Sequence, residues 1–165
     1  MLRKIISGGQ TGVDRSALDV ALELGLEIGG WCPPGREALD GTIPLHYPLK
    51  ETHNEFSHEA PNVPRSQRTE RNVRDSDGTL VILPASQAPD PGTQTTIMMA
   101  DKMNKPYYVV DPTDAENTEQ VCLWMREMQI STLNVAGPSE KTLPGIELLA
   151  GQWLRALLIQ MRAGC

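Results

Sequence analysis

The glycine-rich stretch SGGQTGVDR at residues 7–15 most constrains what this chain can fold into. It follows a short apolar run and precedes apolar residues at helical spacing, which predicts a strand, a tight turn and a helix start. Gly8, Gly9 and Gly12 can take positive φ and let the backbone approach a ligand. The free N–H groups and the dipole of the helix start favour a phosphate or another oxyanion. A glycine turn that binds nothing is the alternative, because the stretch matches neither the dinucleotide fingerprint nor the P-loop.

Length and charge limit the class of protein. A chain of 165 residues has the size of one domain, and we expect residues 1–165 to form a single ligand-binding domain. The net charge of −6 and the pI near 5.0 argue against a nucleic-acid-binding protein. The sequence has no apolar run long enough to span a bilayer and no signal-peptide pattern at its start, so we predict a cytoplasmic protein without a membrane partner. Any bound anion must therefore be held by local donors.

Strands and helices alternate along the rest of the chain. Strands are predicted at 28–32, 79–83, 106–110 and 132–136, and helices at 66–75, 92–103, 117–129 and 144–162. Such alternation is typical of a parallel sheet covered on both faces. The sequence therefore predicts an α/β protein, a Rossmann-like three-layer sandwich with a central parallel sheet of about five or more strands.

The segment 37–67 is loop-like and interrupted by prolines. Structureless segments of this length are typically lids or binding loops, and we predict a partly ordered lid. His46, His53 and His58 all fall in this segment. Their spacing matches no zinc pattern and no cysteine lies nearby, so solvated histidines are expected and no metal site is predicted.

Four turns are predicted to meet at one edge of the sheet. Ligands of open parallel sheets bind beyond the carboxyl ends of the strands. By that rule, the segments 8–15, 31–36, 92–96 and 137–140 lie close together. Several small-residue turns at one edge each contribute backbone donors, which strengthens the prediction of an anion site.

The helix predicted at 66–75 carries polar residues whose positions relative to the ligand follow from the direction of the helix. Ser66 is expected to be its N-cap. Arg68 and Asn72 are four residues apart and share one face, and we expect them near the ligand because this helix starts at the ligand edge. Asp75 and Asp77 should lie at the opposite end, where they would cap or form ion pairs.

Six motifs follow one another across nearly the whole chain: GGQTGVDR at 8–15, GWCP at 30–33, QRTERNVRDSD at 67–77, GT at 92–93, VAGPSE at 135–140 and PGI at 144–146. In these motifs the chain resembles the molybdenum cofactor carrier family, within the wider Rossmann-like group that includes the lysine decarboxylase-like phosphoribohydrolases. One departure is Pro34, where many relatives have a lysine, which leaves Arg36 as the nearby cation.

The resemblance implies a cytoplasmic homo-oligomer, a tetramer or a dimer, that binds, stores and protects the molybdenum cofactor and is not an enzyme. Molybdenum enzymes that receive the cofactor are implied as partners. The cofactor has a terminal phosphate, a pterin and a dithiolene-bound oxo-metal, and it needs an anion cradle, polar partners and a cover. Because its dithiolene already binds the metal, no protein metal ligand is required. Cys32 is expected to be structural or merely adjacent rather than a thiolate ligand.

On this hypothesis the first two glycine turns donate to phosphate and oxo groups, arginines add charge, and the third turn contacts a polar ring. The assigned cofactor-binding residues are Gly8, Gly9, Gln10, Thr11, Gly12, Asp14, Arg15, Arg36, Arg68, Asn72, Gly92, Thr93, Thr96, Gly137, Ser139 and Glu140.

Two other functions stay open. A nucleotide N-glycosidase resembling the phosphoribohydrolases would carry an acidic residue just after its glycine-threonine turn, but Gln94 and Thr95 follow that turn here. Asp14 and Glu140 are candidate carboxylates, and nothing in the sequence pairs them as acid and base. A sensor that binds a nucleotide-derived ligand without turnover would need the same anion cradle as a carrier.

Overall fold

The computed structural model describes residues 1–164, so the last residue of the predicted domain, Cys165, lies outside the described residues. In chain order the elements are β1 (Lys4–Ile6), α1 (Val13–Glu23), β2 (Glu27–Gly29), β3 (Trp31–Cys32), β4 (Glu37–Ala38), β5 (Gly41–Thr42), β6 (Lys50–Glu51), α2 (Ser66–Arg74), β7 (Gly78–Ile82), α3 (Pro91–Lys102), β8 (Tyr107–Val110), α4 (Thr118–Glu127), β9 (Thr132–Ala136) and α5 (Ile146–Ala163). Short 3-10 turns lie at Pro34–Arg36 and Ala115–Asn117.

The central sheet has five parallel strands in the order β2-β1-β9-β7-β8, which confirms the predicted Rossmann-like α/β class. The last strand along the chain, β9, lies in the middle of the sheet. Its Leu133 pairs with Ile5 of β1 on one side and with Gly78 of β7 on the other. The carboxyl ends of β1, β9 and β7 are therefore neighbours, and the turns that follow them meet at one edge.

The main core is aliphatic and lies between the sheet and the layer formed by α1, α4 and α5. Leu133 and Leu154 are fully buried there, because β9 is covered and α5 presents a continuous apolar stripe. A smaller cluster joins α2 to α3 through Val73 and Met99. Met99 and Met125 are buried, so these methionines fill core space as the composition suggests.

The predicted second strand is divided at Gly30. Residues Glu27–Gly29 belong to the central sheet, whereas Trp31–Cys32 leave it and pair with Lys50–Glu51. Gly30 has φ 127°, and its Cα lies against the backbone of Ser7. The segment predicted as a lid contains one antiparallel hairpin, β4–β5, and the strand β6.

The helix starts differ from their predicted positions. Arg65, with φ 61°, is the N-cap of α2, while Ser66 is its first helical residue and its hydroxyl donates to the carbonyl of Ala60. Gly145, with φ 91°, precedes α5, so this helix begins after Pro144 rather than at it.

The opposite end of α2 agrees with the prediction. Asp75 forms an ion pair with Arg74, and the carboxylate of Asp77 accepts from the N–H groups of Ser131 and Thr132. Among residues 1–164, no helix is long and apolar enough to cross a membrane.

Candidate functional site

A cavity of about 220 Å³ lies at the edge of the sheet where β1 and β9 end and where α2 and α3 begin. Three of the four segments that the sequence places at this edge, 8–15, 92–96 and 137–140, meet around the cavity, as predicted. Ten predicted site residues line it: Gly8, Gln10, Asp14, Arg68, Asn72, Gly92, Thr93, Thr96, Gly137 and Ser139. The other six do not line it: Gly9, Thr11, Gly12, Arg15, Arg36 and Glu140.

An ion pair between Arg68 and Asp14 forms one wall of the cavity. The Arg68 guanidinium donates to Asp14 Oδ2 at 2.5 Å, and Asp14 also accepts from the N–H of Gln10. The Asp14 side chain is 5% exposed and that of Arg68 is 17% exposed. A Cβ on Gly8 would lie 1.3 Å from Nη1 of Arg68, so the glycine leaves the space that this guanidinium occupies.

The N–H groups of residues 9–12 already have acceptors inside the chain. Gly9 donates to the Ser7 hydroxyl, Gln10 to Asp14, and Thr11 to the side-chain oxygen of Gln10. The N–H of Gly12 donates to Glu147 Oε2 at 2.8 Å. The prediction that these four amides are free for an anion is therefore wrong for this structure. Contact between a ligand and Gly9, Thr11 or Gly12 stays a prediction.

The turn at 92–96 is also occupied by a carboxylate of the chain. Asp90 is the N-cap of α3, where Oδ1 accepts from the N–H groups of Gly92 and Thr93 and Oδ2 accepts from the Thr93 hydroxyl. These bonds satisfy the first donors of the helix and neutralise its dipole. The sequence did contain a signal for this cap, because Asp90 precedes Pro91 and proline is favoured at the first helical position.

Glu140 has the same role at another helix. Its carboxylate accepts from the N–H of Gly145 at 2.5 Å and from that of Glu147 at 3.0 Å, just before and within the first turn of α5. The structure thus corrects its placement as a ligand contact at the cavity. Ser139 lies in the cavity wall, and its hydroxyl bonds to Thr142.

Arg36 was predicted to add positive charge at the ligand, but its guanidinium is committed elsewhere. It donates to four backbone carbonyls, those of Ile43, Pro44, Tyr47 and Leu49. Carbonyls in an irregular segment need such donors because no strand partner supplies them. Arg36 therefore shapes the segment 43–49, which packs on the outer side of the glycine turn.

Residues 31–36 do not reach the cavity, contrary to the prediction. The Trp31 indole N–H donates to Asp75 at 2.7 Å, and Asn72 holds the Trp31 backbone with both ends of its amide. Cys32 is a free thiol, fully buried beside Leu18, and this burial raises its pKa. A buried neutral thiol is a poor metal ligand, which agrees with the expected structural role.

The three histidines are exposed, and no group of metal-binding side chains occurs among residues 1–164.

Two side chains of the glycine turn hold the hairpin β4–β5 against the cavity. Gln10 Oε1 accepts from the N–H of Leu39 at 2.9 Å. The guanidinium of Arg15 pairs with the carboxylate of Asp40 and donates to the carbonyl of Gly9. Leu39 lines the cavity, so the hairpin turn forms part of its cover. Arg15 therefore does not line the cavity and instead holds the hairpin turn that covers it.

The substitution Asp40→Asn is expected to loosen the hairpin turn. Hydrogen bonding to Arg15 lowers the pKa of Asp40, so the pair stabilises the fold at neutral pH, and this contribution is lost as the pH falls through the folded-state pKa. Because Asp40 is half exposed, the expected loss of stability is small, about 0.5 kcal/mol. Hydrogen exchange of the amides at 37–42 should become about twofold faster at pH 7, and the difference from the wild type should shrink in acid. Unchanged exchange at pH 7 would contradict this role.

Several residues at the cavity were not predicted from the sequence. They are Leu39, Val63, Pro64, Arg65, Thr69, Asp90, Pro91, Asn134, Val135, Ala136 and Thr142. Arg65 had no local signal, since a left-handed conformation at an arginine does not follow from residue type.

Comparisons with known proteins agree with this architecture. A family model described as the circularly permutated YpsA SLOG family matches residues 5–158. The crystal structure of a "putative molybdenum carrier protein" from Syntrophus aciditrophicus SB is similar, with 36% sequence identity, a TM-score of 0.86 and 95% of each chain covered. No curated protein matches the chain.

Proposed function

Since this chain belongs to the circularly permutated YpsA SLOG family, we propose that it is a carrier that binds the molybdenum cofactor and shields it, and that it is not an enzyme. The similarity to the Syntrophus protein, which is named as a molybdenum carrier, supports this proposal. The observation that carries it is the cavity itself, which combines two arginines, hydroxyl groups and an apolar cover at the ligand edge of a parallel sheet.

The donor set fits a phosphorylated pterin. Basic residues in the lining suit an anionic phosphate group, and Ser139 and Thr142 provide hydroxyls for a polar ring. Leu39 and Val63 add apolar surface at the cavity, where Leu39 is 43% exposed. When bound, the cofactor would supply an oxo-metal centre, and the protein would only hold and cover it.

The volume constrains how the cofactor enters. Sites for ligands of this size usually enclose about 300–1,000 Å³, whereas this cavity has about 220 Å³. On this proposal the phosphate end enters the cavity together with only part of the ring. The hairpin at Leu39 and Asp40 has to move outward for the rest, and the small energy of the Arg15–Asp40 pair allows that movement.

A hydrolase is less well supported by the same cavity. Asp14 accepts from Arg68 and Gln10 through Oδ2 alone, so its Oδ1 is free, whereas all bonds of Asp90 serve the start of α3. A hydrolase that uses both a general acid and a general base would need a second carboxylate with a free oxygen, and among the described residues that line the cavity only Asp14 and Asp90 are carboxylates. The homo-oligomeric state and transfer to molybdenum enzymes stay proposals that accompany the carrier function.

The proposal is tested by offering the purified protein molybdenum cofactor under anaerobic conditions and, separately, nucleoside monophosphates. After gel filtration, pterin fluorescence, molybdenum content and free base are measured. We expect pterin and molybdenum to elute with the protein in about equal amounts and no base to be released. Retention of a nucleotide without pterin would contradict the carrier function, and release of base would support a hydrolase.

A further inference from the structure

The charges around the cavity are unequally matched. The charged residues in its lining are Asp14, Arg65, Arg68 and Asp90. Asp90 is neutralised by the start of α3, and Asp14 is paired with Arg68. Within the described range 1–164, the guanidinium of Arg65 has no hydrogen bond and no ion pair. The unmatched charge of the cavity is therefore positive, although the protein carries a net charge of −6.

The backbone fixes Arg65 in a position that a bulky residue rarely takes. Its φ of 61° and ψ of 17° lie in the left-handed region, which is unfavourable for a non-glycine residue. Its N–H donates to Glu55 Oε1 at 2.9 Å, and its carbonyl accepts from the N–H of Thr69. The surrounding contacts thus impose this conformation at a residue that lines the cavity.

Arg68 leaves a second donor unused. Its Nη1 bonds to Asp14, but its Nε is buried without a hydrogen-bond partner. A buried N–H without an acceptor is energetically unfavourable, and an acceptor from a ligand would remove this cost.

From these observations we propose that Arg65 binds the phosphate of the ligand and that Arg68 completes a two-guanidinium clamp at the start of α2. The identification of the ligand as a phosphorylated pterin rests on the proposed function. Guanidinium groups bind phosphate oxygens through paired, charge-assisted hydrogen bonds. The phosphate is therefore held by side chains, while the starts of α1, α3 and α5 are filled by the chain's own carboxylates.

The test compares Arg65→Asn with the wild type. Asparagine tolerates the left-handed conformation and removes the charge, so the fold should be retained. The matched control is Arg71→Asn on the same helix, because Arg71 lies over the Trp31 ring and does not line the cavity. Arg65→Lys keeps the charge without the fork of donors. Thermal unfolding of each variant verifies folding.

The probes are the oxidised pterin derived from the cofactor, with its phosphate and after phosphatase treatment, and inorganic phosphate followed by ³¹P NMR. Loss of a charge-assisted contact of about 1.5–3 kcal/mol corresponds to about 10- to 100-fold weaker binding. Arg65→Asn should weaken binding of the phosphorylated pterin by this factor and leave the dephosphorylated pterin unaffected. Arg65→Lys should lie between the wild type and Arg65→Asn, and Arg71→Asn should bind as the wild type does.

Equal weakening of both pterins, or no weakening of either, would overturn the clamp. If the wild type binds neither pterin, the carrier function fails. The binding of inorganic phosphate then tests the two-arginine phosphate site independently of the carrier function. If the wild type binds phosphate saturably and Arg65→Asn does not, the two-arginine clamp is supported. No binding of phosphate by the wild type, or equal binding by both proteins, refutes it.

Discussion

Replacing Gly30 by alanine is expected to destabilise the fold by about 2–5 kcal/mol, because a backbone strain and a steric collision act together. Gly30 has φ 127°, and an added Cβ would lie 2.3 Å from the carbonyl oxygen of Ser7 and 2.9 Å from Asn72 Oδ1. The Ser7 backbone cannot retreat, since its N–H is bonded to Gly29. Urea unfolding should show a lower midpoint with an unchanged m-value.

Gly41→Ala is the matched control for Gly30→Ala. Gly41 has a similar φ of 118°, but a Cβ there would meet no atom within 4 Å. Only the backbone strain remains, and we expect a loss of about 1–2 kcal/mol. If the two substitutions were equally destabilising, the collision with Ser7 would have no measurable cost, and the close approach of Ser7 would not explain the requirement for glycine at position 30.

Arg68→Met is expected to destabilise the protein by about 3 kcal/mol, since it leaves the carboxylate of Asp14 without its cation. The Asp14 side chain is 5% exposed, so water cannot readily replace the lost partner. Methionine keeps the length of the side chain beside Gly8. The measurement is again urea unfolding, at pH 7 and at low and high salt, and the loss should change little with salt because the pair is poorly accessible to ions.

A double-mutant cycle isolates this pair from the other contacts of Arg68. Asp14→Asn alone keeps an acceptor for the N–H of Gln10, and the double variant removes both charges. We expect the double variant to be more stable than the sum of the two single losses predicts, by about 1–3 kcal/mol. Additive losses would mean that the ion pair contributes no coupling energy and that Arg68→Met acts by packing alone.

The regular elements were predictable where one local pattern dominates. The apolar run that forms β7 and the unbroken helical spacing of α5 define buried elements without reference to the rest of the chain. The alternation of such elements was enough for the class of fold and for the edge at which the turns meet. The end of the strand predicted at 28–32 was not predictable, because it depends on how closely Ser7 approaches Gly30.

The candidate site was likewise predictable only in part. The positions of Gly8 and Arg68 at the cavity follow from the direction of parallel strands and of the helix α2, so a sequence argument places them correctly. The hydrogen-bond partners of the donor groups do not follow from the sequence. Arg36 was expected at the ligand and is instead bonded to four carbonyls of a loop that has no regular pattern in the sequence.

The sequence by itself determined the order of strands and helices, the parallel sheet and the edge at which a ligand can bind, because these depend on periodicity and on chain direction. Only the tertiary structure decided which donors at that edge are free. The N–H of Gly12 is occupied by Glu147, which is 135 residues away along the chain. A hydrogen bond depends on distances of a few tenths of an ångström between segments far apart in sequence, and no local pattern specifies such distances.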